Sequence, residues 1–187
     1  MCHFVTATLP EGIDQSQVAA IFERHKLGFK ELANPHIATQ IRPGELYLLT
    51  TKGHCDCGTV LGSLDRSGAS EPLNYDREIE KRRQQGWSQT KIQRWLEEKD
   101  RAREKSLLEY KTHTRAGNLQ AEEWVAFIRD LLQSGQTKRV GLLLHLYRGG
   151  LESERIHLTG RKEVTLEALS PKVLMQMAED VLYEFVL

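Results

Sequence analysis

The spacing of apolar positions along the chain changes several times, and each change marks an element. Residues 2–9, CHFVTATL, are short and rich in β-branched side chains, and Pro10 and Gly12 follow them, which predicts a first strand. Helical spacing of Val18, Ile21, Phe22 and His25, with Asp14 as N-cap and Gln17 three residues on, predicts a helix over 14–26. HIATQI (36–41), RPGE and LYLLTT (46–51) read as a hairpin, because Pro43 presets a turn and Gly44 supplies positive φ; these are the expected second and third strands. Trp124, Phe127, Ile128, Leu131 and Leu132 fall on one broad face of a helix over 119–135, and the nearly continuous apolar run RVGLLLHLY (139–147) predicts a buried strand. The segment 154–166 is expected to form a hairpin turning at Gly160. A closing helix over 170–187 is expected from Ser170 as N-cap, Pro171 at the first helical position, and Val173, Leu174, Met177, Val181 and Phe185 on its buried side.

From Leu73 to about His113 the apolar positions thin out and charges crowd in. Two helices are expected there, 74–85 and 88–113, separated at Gly86; the second carries a narrow stripe of Ile92, Trp95, Leu96, Ala102 and Leu107. A stripe that narrow buries against one neighbour, so residues 73–116 read as a helical arm inserted in a single domain spanning 1–187. With the arm set aside, the order is strand, helix, strand, strand, helix, strand. That order predicts an α+β fold with a ferredoxin-like (split βαβ) antiparallel sheet core, extended by the C-terminal hairpin and helix.

Composition narrows the setting. The 187 residues carry 26 Lys plus Arg against 26 Asp plus Glu, so no net field draws the chain to nucleic acid or an anionic membrane. The N-terminal residues lack the pattern of a secretory signal and no run approaches membrane-spanning length, which makes the cytoplasm the expected location. Three cysteines cannot complete a disulfide framework, and in a reducing compartment they are thiols or metal ligands.

Two of those three sit one residue apart, in HCDC. Antiparallel pairing of the first and third strands brings Cys2 and His3 beside Thr51 and the HCDC segment, and the far end of the fourth strand brings His145 and Tyr147 to the same corner. Cys2, Cys55, Cys57 and His145 are therefore the candidate metal ligands, with His3 as another imidazole within reach. Three thiolates and one imidazole suit tetrahedral zinc, although structural zinc pairs more often space their cysteines by two to four residues. The plainer reading is that cysteine is a small, commonly buried residue and all three merely pack. A third reading is a thiol-dependent enzyme using Cys55 or Cys57 with a nearby histidine as base.

The arm carries ten basic and seven acidic residues between Asp76 and Lys105. Its sequence around Gly86 resembles the first part of a helix-turn-helix, but an uninterrupted helical run takes the place of a recognition helix, which argues against DNA reading. Arg83, Trp87, Arg94 and Trp95 belong to the residue types that anchor protein contacts, so they are the candidates for docking a protein partner or a second copy of the chain. The expected function is thus a cytosolic interaction protein whose arm docks a partner and whose cysteine corner is structural, with zinc as the candidate ion.

Overall fold

A computed structural model describes residues 1–62, 75–113 and 120–187, of which 76, 77 and 102–113 are described by their backbone alone. The expected arm limits at 73–74 and 114–116, and the side chains of Ala102 and Leu107, lie outside the described set. The chain separates into two compact units, Met1–Ser63 with Gly117–Leu187, and Leu64–Ala116.

The first unit is α+β, built on a six-stranded mixed sheet. Its strands are β1 (Cys2–Pro10), β2 (Lys30–Glu31), β3 (Glu45–Leu49), β4 (Arg139–Tyr147), β5 (Gly160–Thr165) and β6 (Val181–Val186), in the spatial order β2-β3-β1-β4-β6-β5. Central β1 runs antiparallel to both β3 and β4, with Thr6 opposite Leu49 on one side and Cys2 opposite Tyr147 on the other. Among the described residues there are six helices. Four belong to this unit: α1 (Gln15–Arg24), α2 (Pro35–Ala38), α5 (Ala121–Gln133) and α6 (Pro171–Met175). Two form the second unit: α3 (Asp76–Gln84) and α4 (Gln89–His113).

Alternation along the strands gives the sheet two buried faces. Val5, Ala7 and Leu9 of β1 and Val140, Leu142 and Leu144 of β4 face α1 and α5, whose Phe22 and Phe127 rings meet edge to face at 4.7 Å. The His25 ring at the end of α1 lies 2.9 Å from the Asp130 carboxylate of α5 and holds the two helices in register. On the opposite face Tyr47, Leu143, Tyr147 and Leu182 pack with Leu32, Ile37, Ile41 and Ile156. A sheet covered on both sides explains why β4 reads as one continuous apolar run.

Three expectations are corrected. HIATQI is not a strand: the buried Asn34 side chain accepts hydrogen bonds from the backbone N–H groups of His36 and Ile37, Pro35 takes the first helical position, and the short helix α2 results. Its place in the sheet is taken by β2, two residues long, with Lys30 opposite Leu49. No hairpin turns at Gly160, where β5 instead begins and runs parallel to β6, making the sheet mixed rather than purely antiparallel. The C-terminal helix stops at Met175; Asp180, at φ 59°, redirects the chain, and Val181–Val186 forms a strand antiparallel to β4. Val181, Tyr183, Phe185 and Val186 are β-branched or aromatic, and a position between β4 and β5 buries both sides of such a run, which outweighs helical spacing. Among the described residues no helix is long and apolar enough to cross a membrane.

Candidate metal centre

Strand β3 pairs with β1 only from Pro10 to Thr6, and the edge of β1 from Cys2 to Val5 that it leaves open creates the site. Beyond Leu49, Thr50 donates its hydroxyl to the Val5 carbonyl at 2.6 Å, and the chain then leaves the sheet. It returns at Asp56. The Asp56 N–H donates to the His3 carbonyl at 2.8 Å, while its carboxylate accepts the Val5 N–H at 2.7 Å and the Thr51 hydroxyl. One residue thus satisfies the β1 edge that β3 leaves open, as a further strand residue would.

The loop is also held from behind. Thr59 donates both its backbone N–H and its hydroxyl to the Asp56 carbonyl, each at 2.8 Å, and Gly62 donates its N–H to the Thr59 hydroxyl at 3.0 Å. A Cβ on Gly62 would stand 2.0 Å from the Asp56 carbonyl oxygen, so only glycine fits this approach. Burial raises the pKa of Asp56 above its ordinary value, against the lowering effect of the Thr51 hydroxyl, the Val5 N–H and nearby His3.

With Asp56 anchored, its neighbours converge on Cys2. The sulfur atoms of Cys2, Cys55 and Cys57 all lie within 4.8 Å of one another, close enough to hold a metal ion, and all three residues are half-buried. Tetrahedral zinc with Zn–S bonds of about 2.3 Å needs sulfurs roughly 3.8 Å apart, which this grouping accommodates. Backbone N–H groups already point at two of the sulfurs: His3 N donates to Cys57 Sγ at 3.1 Å, and Cys57 N donates to Cys55. The Cys57 N–H, aided by the thiols of Cys57 and Cys2, lowers the pKa of Cys55 against its burial; burial and the neighbouring sulfurs raise that of Cys57. Stabilisation of one thiolate beside two more sulfurs is the electrostatic condition a cation relieves.

The histidines stand apart from this grouping. His3 is buried on the helix-covered face, with Nε2 2.7 Å from the Glu179 carboxylate and Nδ1 without a hydrogen-bond partner among the described residues. His145 sits opposite Phe4, its Nδ1 2.5 Å from the Asp180 carboxylate and its ring edge-on to Tyr147 at 4.7 Å. The His145 ring is paired with Asp180, and it is not among the ligand atoms grouped within 4.8 Å of one another. Consecutive residues Glu179 and Asp180 thereby hold imidazoles on opposite faces of the sheet.

Sequence reading missed Asp56, Thr51, Thr59, Glu179 and Asp180. The available signal was the carboxylate inside CDC, flanked by threonines; Glu179 and Asp180 were concealed by the expected helix.

In the second unit, the Arg82 guanidinium lies 3.8 Å from the Trp95 ring centroid and 5.1 Å from that of Trp87, while Tyr75 meets Trp95 edge to face at 5.6 Å. Lys91 Nζ covers Trp87 at 4.1 Å. The two tryptophans therefore join α3 to α4 around Arg82, a residue the sequence did not single out. Arg83 is exposed, 3.8 Å from Glu80, and Arg94 is exposed. Compared with known proteins, the chain matches no family model, no curated protein and no solved structure.

Proposed function

We propose that this protein binds a soft metal ion, zinc first among them, through the thiolates of Cys2, Cys55 and Cys57. The observation that carries the reading is the grouping within 4.8 Å of three sulfurs from two distant segments, the start of β1 and a loop fixed by Asp56. All-sulfur donors favour thiophilic ions over magnesium or calcium. The fourth position is assigned to solvent or, once its ring leaves Asp180, to His145. Protein purified without added zinc and assayed for metal and free thiols should hold one zinc per chain, and Cys55→Ser should lose most of it. Three freely titrating thiols and no metal would refute the reading.

Two further readings rest on particular observations. A thiol-dependent enzyme is supported by the lowered pKa of Cys55, and requires that residue to outpace an ordinary thiol toward iodoacetamide at neutral pH. Docking of a protein partner or a second copy by the arm, in the cytoplasm, is supported by a compact second unit that leaves Arg83 and Arg94 exposed. Trp87 and Trp95, drawn into the Arg82 stack, contribute there by shaping the arm. Sedimentation of the Arg83→Glu, Arg94→Glu double variant tests self-association: a shift to smaller species supports it, and an unchanged monomer counts against it. The ferredoxin-like reading of the core is proposed too, supported by β1 lying between β3 and β4.

A further inference from the structure

The three sulfurs are not equivalent, and the differences assign each a role under oxidation. All three sulfurs lie within 4.8 Å of one another, so distance alone leaves every pairing open. Cys57 is tied to the backbone by the His3 N–H at 3.1 Å. A bond between Cys55 and Cys57 would close a ring through Asp56 alone and bend a loop that four hydrogen bonds to Asp56 from Val5, Thr51 and Thr59 hold in place. Cys2 lies outside that loop, at the start of β1 opposite Tyr147, with its sulfur within 4.8 Å of the Cys55 sulfur. All three residues are half-buried rather than sealed, so a small oxidant has access.

We propose that a hydroperoxide converts the centre from a metal site to a Cys2–Cys55 disulfide and so expels the ion, a regulation that rests on the metal-binding reading above. The Cys55 thiolate attacks a peroxide oxygen; an S–O bond forms, the O–O bond breaks and hydroxide departs. The Cys2 thiolate then attacks the Cys55 sulfur, forming the S–S bond and releasing the second hydroxide. Two thiolates lose two electrons in all, hydrogen peroxide takes them, and two solvent protons complete two molecules of water. Cys57 remains as a lone thiolate, too few donors to retain a zinc ion against solvent. Reduction by a small dithiol restores the three-sulfur grouping.

The test uses the full chain loaded with zinc and titrated with hydrogen peroxide. Zinc released to a chromophoric chelator should rise one for one with a species lighter by two hydrogens, and peptide fragmentation should locate the bridge between Cys2 and Cys55. Dithiothreitol followed by zinc should return the starting mass and metal content. Cys57→Ser should still form the bridge, and Cys55→Ser should form none to Cys2. A bridge between Cys55 and Cys57, oxygen added to sulfur without a bridge, or zinc retained alongside the bridge would each overturn the switch while leaving the metal site intact. A chain that takes up no zinc removes the metal site and the switch together.

Discussion

Asp56 links backbone geometry to cysteine chemistry at a single position, because the carboxylate that completes the β1 edge also fixes where Cys55 and Cys57 stand. Removing it in Asp56→Ala leaves the buried Val5 N–H without its acceptor. Such a loss costs about 1–3 kcal/mol, to be read as a lower urea midpoint, and zinc affinity should fall with it. Asp56→Asn retains one acceptor oxygen and should cost less. Its pH dependence has a definite sign: burial raises the native pKa above the ordinary 3.8, so between those values the folded state binds more protons than the unfolded one. The Asp56 contribution therefore falls as pH rises through that window, and metal-free Asp56→Asn should lack this slope in equilibrium unfolding. An identical slope in both proteins would contradict the burial argument. The meeting of Cys2 with the CDC segment was legible in the sequence, since antiparallel pairing of two strongly patterned strands fixes which ends adjoin. Asp56 was not, because its role depends on where a loop returns to an edge, and neither composition nor period encodes that.

At the scale of elements, local capping and sheet position decided the points at which periodicity misled. Asn34 accepts two backbone N–H groups at the start of α2, and its amide donates to the carbonyls of Leu151 and Glu154, each at 3.0 Å. Asn34→Ala removes the cap together with the tie to the 151–158 segment. A loss of about 2–4 kcal/mol in chemical denaturation is expected; a change below about 0.5 kcal/mol would show the tie to be idle. In the cysteine loop, Gly62→Ala forces a side chain against the Asp56 carbonyl, so the loop must shift. Weaker zinc binding with little change in far-ultraviolet circular dichroism is the expected signature, and unaltered affinity would count against a rigid loop. The Asn-Pro start of α2 was readable in principle, but β-branched Ile37 and Thr39 and the turn at Pro43 drew the segment toward a strand. The last strand was harder still: 170–187 carries real helical signals, and only the vacancy beside β4 turns its aromatic and branched residues to the sheet.

For the whole molecule, the pattern of apolar positions specified an α+β chain with a charged helical segment, whereas the order β2-β3-β1-β4-β6-β5, with its parallel pair at one edge, is settled by tertiary pairing. The cysteine centre joins the start of β1 to the loop after β3, so its ion should stabilise the sheet unit through linkage. Zinc at a hundredfold excess over its dissociation constant adds about 3 kcal/mol, so chelation should lower the melting temperature by several degrees and zinc should restore it. An unchanged melting curve would mean that no folded-state ion is present. X-ray absorption at the zinc edge of protein purified without added metal addresses the central claim most directly. The account requires three sulfur neighbours at about 2.3 Å, falling to two in Cys2→Ser. A zinc ion surrounded only by nitrogen and oxygen, or a sample without zinc, would contradict it.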